Sequence, residues 1–290
     1  MGSKQNVAYS LMLTMLQKKP KAKYFFDIFG GGASMSLMAK QFGLKVYYTE
    51  KNAGIVNLLN FLKDNKIPKE WVKWVDREEF KRCLGKDDPY SVFVTVVWSF
   101  GNNRQAYLFG KDIEEVKHLA FDVIVDKDYK ALEKLKEKTG LSLKMPTEAN
   151  LHERRLNFSK QIKSVKGFNR GCPELIQIQS LTQLECCSRL QQLEYLQQLE
   201  SLNGLDLPYD EVIIYCDPPY RGTTEYTDNG FNYKEFDEWV RKLKYDVFIS
   251  EYNTPFEKIA SFGKMSLLNN SKDKKPLISE NLYFHKAEGI

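Results

Sequence analysis

Asp217-Pro218-Pro219-Tyr220 places a carboxylate, two backbone-fixing rings and an aromatic face in four consecutive positions. Proline lacks an N–H and holds φ at roughly −65°, so the stretch is stiff and poor in donors. The Pro218 carbonyl is therefore free to face a ligand as an acceptor. With the Asp217 carboxylate it makes two acceptors, the complement of an –NH2 group with two hydrogens to donate. Tyr220 adds a flat face on which a heterocycle stacks. The chemistry read from these residues is capture of an exocyclic amine on a nucleobase. A tight Asp-Pro turn closed by a packed tyrosine is the other reading of the same tetrapeptide.

These residues need an element to carry them. Val212 to Cys216 is apolar throughout and rich in β-branched residues, which predicts a buried parallel strand. The tetrapeptide then follows a carboxyl strand end, where ligands bind in open α/β sheets. A second unit has the same logic. Tyr24 to Phe29 reads as a short strand, Gly30-Gly31-Gly32-Ala33-Ser34 as a turn, and Met35, Leu37, Met38 and Phe42 recur at helical spacing. Strand, glycine turn and helix make a nucleotide-binding opening, because glycine lets backbone approach a ligand closely. The next strand, Lys45 to Thr49, ends in Glu50, where an acidic side chain is placed to hold two ribose hydroxyls.

Taken together, Asp27-Ile28-Phe29-Gly30-Gly31-Gly32 and Asp217 to Tyr220 resemble the cofactor and catalytic motifs of Dam-like DNA adenine-N6 methyltransferases. Gly2-Ser3-Lys4 is similar to that family's N-terminal motif, and Ile249-Ser250-Glu251-Tyr252-Asn253 to its post-catalytic strand. Ser99-Phe100-Gly101-Asn102-Asn103 with Tyr107-Leu108 resembles the middle region of phage members. The order is also the family's: cofactor motif, long insert, catalytic motif. Ala33 stands where the family usually has glycine, and the signatures of GATC-reading members are absent, so GATC specificity is not carried over.

The resemblance implies an α/β fold: a doubly wound, Rossmann-like methyltransferase sheet with an inserted, mainly helical target-recognition domain. The catalytic domain would be split into residues 1–65 and 176–290 around an insert of 66–175. It implies S-adenosyl-L-methionine as cofactor, held by Lys4, Asp27, Phe29, Gly30, Gly31, Gly32, Ala33, Ser34, Glu50, Asp206 and Asp217. Double-stranded DNA is the implied partner, a cognate restriction endonuclease a possible second one, and adenine N6 the implied target. Cytosine N4 is an alternative, although enzymes of that kind more often carry serine in place of Asp217. A DNA-binding module with a degenerate site is the alternative from outside enzymology.

Composition sets the frame. The chain has 290 residues, 42% apolar and 28% charged, with a net charge of +5, enough for one large core and an inserted lobe. No apolar run reaches the length of a membrane span and no signal peptide opens the chain, so a cytoplasmic protein is expected. Five cysteines, odd in number and without zinc-ligand spacing, read as reduced thiols. Three separated histidines argue against a metal site. Residues 141–180 carry seven basic against three acidic side chains, which suits a phosphate backbone and equally an ordinary solvated surface. Within it Arg154, Arg155, Lys163 and Lys166 are the candidate phosphate contacts. Asn102, Asn103 and Arg104, in a loop from Gly101 to Gly110, are the candidate base readers, and a structural turn is the alternative there.

The remaining expectations concern elements. Lys4 to Gln17 reads as a helix with Val7, Leu11, Leu13 and Leu16 on one side. Lys51 to Asn65 reads as a helix with Ile55, Leu58, Leu59 and Leu62 inward. Tyr90 to Phe100 must be buried, as strand or helix. Ile178 to Leu205 repeats apolar residues every third position, read as a helix followed by a short strand near Leu199–Leu202, or as a few steps of an irregular solenoid. Tyr233 to Leu243 reads as an amphipathic helix, Tyr245 to Ser250 as a strand, and 262–268 with 282–285 as a closing hairpin.

Overall fold

The structure, a computed structural model, describes residues 4, 7–100, 104–165, 187–192, 199–221, 231–264 and 278–287, without side chains at 187–192, 199, 200, 264, 278 and 279. The chain divides into two compact units, one of residues 61–182 and one of 2–60 with 183–290. The boundary falls inside one helix, α3 (Ala53–Asp64).

The two-part unit is a mixed α/β body around a mostly parallel sheet flanked by helices. Its strands are β1 (Tyr24–Asp27), β2 (Lys45–Glu50), β3 (Cys187–Gln192), β4 (Val212–Cys216), β5 (Val247–Glu251), β6 (Glu257–Lys264) and β7 (Ile278–His285). They pair in the order β3-β2-β1-β4-β5-β7-β6. Pairing is parallel from β3 to β5, and β7 runs antiparallel to both β5 and β6. The chain leaves β1 toward β2 on one side and returns to β4 on the other. The strand order therefore reverses between β1 and β4, where Asp27 pairs with Tyr215. A crevice at the carboxyl ends of such a strand pair is the ligand position of open α/β sheets.

Burial explains why β4 is central. All five of its residues are fully buried, and each large apolar side chain so removed from water contributes about 1.5–3 kcal/mol. One face packs against α10 (Tyr233–Lys242), whose Phe236, Trp239 and Val240 recur at three- and four-residue spacing and join Ile214, Cys216, Phe26 and Ile249 in one core. Asn232 caps that helix through the Glu235 N–H.

Several expected elements shift. The strand read as Tyr24–Phe29 stops at Asp27, because Ile28 and Phe29 already turn. α1 (Ala8–Lys18) buries Ala8, Leu11, Met12 and Met15, whereas Leu13 is exposed. Methionines thus form part of the inner stripe assigned to leucines. Within 178–205 the described residues place a strand, β3, where a helix was expected and a helix, α9 (Leu199–Asn203), where the short strand was, while 178–186 and 193–198 lie outside the described residues. A three-residue period fits neither a helix nor a strand. The available ladder of β2 backbone groups decides instead, and β3 pairs with it from Val46 to Glu50.

The other unit is helical among its described residues: α4 (Arg77–Cys83), α5 (Pro89–Val97), α6 (Glu114–Val125), α7 (Tyr129–Thr139) and α8 (Leu151–Ile162), with a short 3-10 turn at Lys69–Trp71. The apolar run from Tyr90 becomes a helix because Asp88 caps it through the Ser91 N–H and Pro89 occupies its first turn. Trp74, Trp98, Phe109 and Phe121 interlock at ring separations of 5.0–6.3 Å. Among the described residues no helix is long and apolar enough to cross a membrane, and Cys83 and Cys216 are buried free thiols.

Candidate functional site

The glycine turn is held from three directions. Gly30 N–H donates to the Thr49 carbonyl (2.9 Å), and the Tyr48 hydroxyl donates to the Gly31 carbonyl (2.7 Å). The Glu50 carboxylate accepts from Gly31 N–H through one oxygen and from Asn52 N–H through the other, each at 2.9 Å. Gly30 is glycine for a packing reason: a Cβ there would lie 2.0 Å from the Tyr48 ring. Gly31 has φ of 47°, in the left-handed region that glycine enters without strain. Gly32 is exposed, and a Cβ there would meet nothing within 4 Å. Ala33 also lies in the left-handed region, with φ of 59°, at the start of α2 (Ser34–Gln41), where an L-residue costs about 1–2 kcal/mol. That explains the glycine expected at this position. Ala33 is fully buried.

Asp27 ends β1, buried, and accepts from the Ser36 hydroxyl at 2.6 Å. Burial raises its carboxyl to about 7 against that hydrogen bond. Phe29 packs edge-on against Phe231 and Phe236 at 5.9 and 5.7 Å, so its ring anchors the turn onto α10.

Asp217 leaves β4 into a charged cluster. The Lys4 ammonium reaches both of its carboxylate oxygens at 2.7 Å and lies 3.4 Å from Glu280 Oε1. The same Nζ stands 4.8 Å from the Tyr220 ring centroid. The Tyr220 hydroxyl donates to Glu280 Oε1. Lys4 and Glu280 are buried, and the Asp217 side chain is 20% exposed. Burial works against the Lys4 ammonium, but Asp217 and Glu280 outweigh it and hold the lysine above its ordinary pKa. Burial pushes the Asp217 carboxyl up, and Lys4 opposes that shift. Burial likewise drives the Tyr220 phenol far above its usual value, so it remains a donor. Pro218 is buried and Pro219 half-buried. Beyond them Arg221 N–H donates to the buried Glu251 carboxylate at the end of β5 (2.8 Å). That bond ties the tetrapeptide to the neighbouring strand.

The structure thus gathers Lys4, Asp27, the Phe29–Ser34 turn, Glu50 and Asp217 to Tyr220 within one unit, at or joined to the carboxyl ends of β1, β2 and β4. Asp206 is not with them. It is exposed and lies between Leu205 and Leu207, whose carbonyls accept from the Tyr245 hydroxyl before β5 begins, at the opposite edge of the sheet. It precedes β4 rather than following it.

Glu280 was missed. Because β7 is antiparallel, its first residues come level with the end of β5, where Glu251 pairs with Asn281. The available signal was an acidic residue opening the last strand of a hairpin.

The nucleic-acid candidates divide. Arg104 is turned inward, only 14% exposed at its side chain, donating to Thr95 Oγ1 (3.2 Å) and the Lys86 carbonyl (3.4 Å) with its backbone in the left-handed region. Packing against α5, rather than display, fixes this residue. Arg154 donates to the carbonyls of Ile124 (2.7 Å) and Val125 (3.2 Å) at the end of α6, whose last carbonyls have no intrahelical partner. Arg155 is half-buried and Lys163 exposed. Asn102, Asn103 and Lys166 lie outside the described residues.

No family model matches the chain, and no curated protein matches it in sequence.

Proposed function

We propose that the chain is a site-specific DNA methyltransferase that moves a methyl group from S-adenosyl-L-methionine to N6 of adenine in double-stranded DNA. The observation that carries this reading is the placement of Asp217 to Tyr220 at the end of β4, beside β1 and its Glu50-held glycine turn. One crevice then offers an amine site and a nucleoside site at the sheet's reversal point.

The residues fit the cofactor. A carboxylate has about four lone-pair sites. Glu50 uses two of them on Gly31 and Asn52, which leaves acceptors for two ribose hydroxyls. Gly32 leaves open space where a side chain would stand. The Lys4 ammonium, by contrast, is already held by Asp217 and Glu280. Bound there, S-adenosylmethionine would supply an activated methyl group and leave as the neutral thioether, and the amine nitrogen would give up one N–H proton to solvent.

The chain's own residues position and polarise. Asp217 and the Pro218 carbonyl accept the two amine hydrogens, which localises lone-pair density on nitrogen. Tyr220 stacks the base once it has left the helix. Positive charge grows on nitrogen during transfer, and fixed acceptors in a water-poor crevice stabilise it without reorganising. Lys163 and its basic neighbours are proposed to contact phosphates.

Methylation-sensitive sequencing of DNA from cells expressing the protein tests the reading. Modified adenines in one short sequence context are expected. Modified cytosines would move the assignment to N4 of the other base, and unmodified DNA would end it.

A further inference from the structure

Two carboxylates compete for one buried ammonium in this site. Glu280 on β7 is 3% exposed, accepts from the Tyr220 hydroxyl, and lies 3.4 Å from Lys4 Nζ. Lys4 is also bound through both Asp217 oxygens. With Lys4 paired to Asp217 alone, the cluster would be neutral. Glu280 makes it anionic by one charge and shares the ammonium.

We propose that Glu280 is a positioning residue of the amine site, acting by orienting Tyr220 through its hydroxyl and by leaving the Lys4–Asp217–Glu280 cluster with one uncompensated negative charge. The inference rests on the reading of Asp217 to Tyr220 as an amine-capture site. Its chemistry follows from what the transferring nitrogen undergoes: it starts neutral and gains positive charge. A neutral Lys4–Asp217 pair offers that charge little, because the ammonium repels what the carboxylate attracts. A second carboxylate at the same ammonium restores the attraction, and low local dielectric strengthens it. Glu280 also fixes Tyr220. A phenol anchored at its hydroxyl keeps one ring plane, and the Tyr252 ring stands edge-on to it at 4.5 Å. The stacking face is therefore set before a base arrives, so less ordering remains to be done on capture.

The two roles separate by substitution. Glu280→Gln keeps the shape and an acceptor for the tyrosine hydroxyl but removes the charge. Glu280→Ala removes both. The experiment uses full-length protein and the duplex site mapped for the wild type. Base capture is read without cofactor by the fluorescence of 2-aminopurine in place of the target adenine. Transfer is read in single turnovers with labelled donor, and folding by the thermal midpoint. For Glu280→Gln, capture and midpoint near the wild type are expected, with transfer slowed about tenfold or more. For Glu280→Ala, capture is expected to weaken as well. A wild-type transfer rate in Glu280→Gln would overturn the charge role. Wild-type capture in Glu280→Ala would overturn the hold on Tyr220. If the wild type itself labels no duplex, the amine-site reading fails and this inference with it. A wild type that transfers alongside an unaffected Glu280→Gln rejects the inference alone.

Discussion

Lys4 and Asp217 stand 213 positions apart in the chain, yet the lysine ammonium meets both oxygens of the carboxylate at 2.7 Å. The pair joins the segment before α1 to the end of β4, and Glu280 adds a strand from the closing hairpin. Asp217 is consequently not a bare acceptor. Both of its oxygens already accept from the ammonium.

Removing Lys4 should therefore cost stability as well as activity. Lys4→Met leaves two carboxylates in a buried site with no cation among the partners described for them. Breaking such a pair by deleting one side costs about 3–5 kcal/mol, and the partial exposure of Asp217 puts the expectation at the lower end. Adding Asp217→Asn to Lys4→Met should recover part of the loss. Urea unfolding of the two single variants and the double variant checks this. Additive effects would mean that the pair does not couple.

Asp27 predicts a pH dependence whose direction follows from its burial. Its carboxyl titrates at about 7 in the folded protein and near 4 when unfolded. Between those values the folded state keeps a proton that the unfolded chain has lost. The stability it contributes is therefore full below about pH 4 and is lost as pH rises to about 7. Asp27→Asn keeps a partner for Ser36 without the charge. The variant should match the wild type at about pH 4 and exceed it at about pH 8. Parallel stability profiles for the two proteins would reject the assignment.

Glu50 should carry much of the cofactor affinity. Its carboxylate pins the glycine turn through Gly31 and is the proposed acceptor of the ribose hydroxyls. Glu50→Ala should weaken S-adenosylmethionine binding by roughly 1.5–3 kcal/mol, the range for hydrogen bonds to a charged group. Calorimetry without DNA measures it, and unchanged affinity would take Glu50 out of the site.

The basic residues are expected to separate into two kinds. Lys163 is exposed, so Lys163→Ala should weaken every DNA sequence alike and lower the salt slope by about one. Arg154 holds the end of α6. Arg154→Ala should lower the stability of the DNA-free protein by about 1–3 kcal/mol, the cost of losing a charged donor. Measuring DNA affinity across salt concentrations beside denaturation separates the two. An unchanged slope for Lys163→Ala would remove it from the interface.

What could be read in advance followed physical rules of short range. The β4 run and the glycine turn were legible because continuous apolar, β-branched residues and glycines each constrain the backbone locally. The Ile55, Leu58, Leu59 and Leu62 face of α3 was legible from its period, and all four are buried. What was not legible depends on distant pairing. Lys4 could be named as a contact, but its partners could not, since they come from positions 217 and 280. Glu280 becomes part of the site only when an antiparallel strand closes the sheet. β3 and α9 escaped because a three-residue period matches no regular element. Arg104 looked like a reader by side-chain type, whereas its fate was set by the hydroxyl of Thr95 on α5.

The most direct measurement of the central claim is N6-methyladenine formed in duplex DNA by the wild type and by Asp217→Ala, in single turnovers with labelled S-adenosylmethionine. The wild type should place the label on adenine N6. Asp217→Ala should bind the cofactor nearly as well yet transfer slower by at least about a hundredfold, roughly 2.7 kcal/mol of transition-state stabilisation. Equal rates in the two proteins, or no label on adenine from the wild type, would contradict the assignment of this tetrapeptide as the amine-handling site.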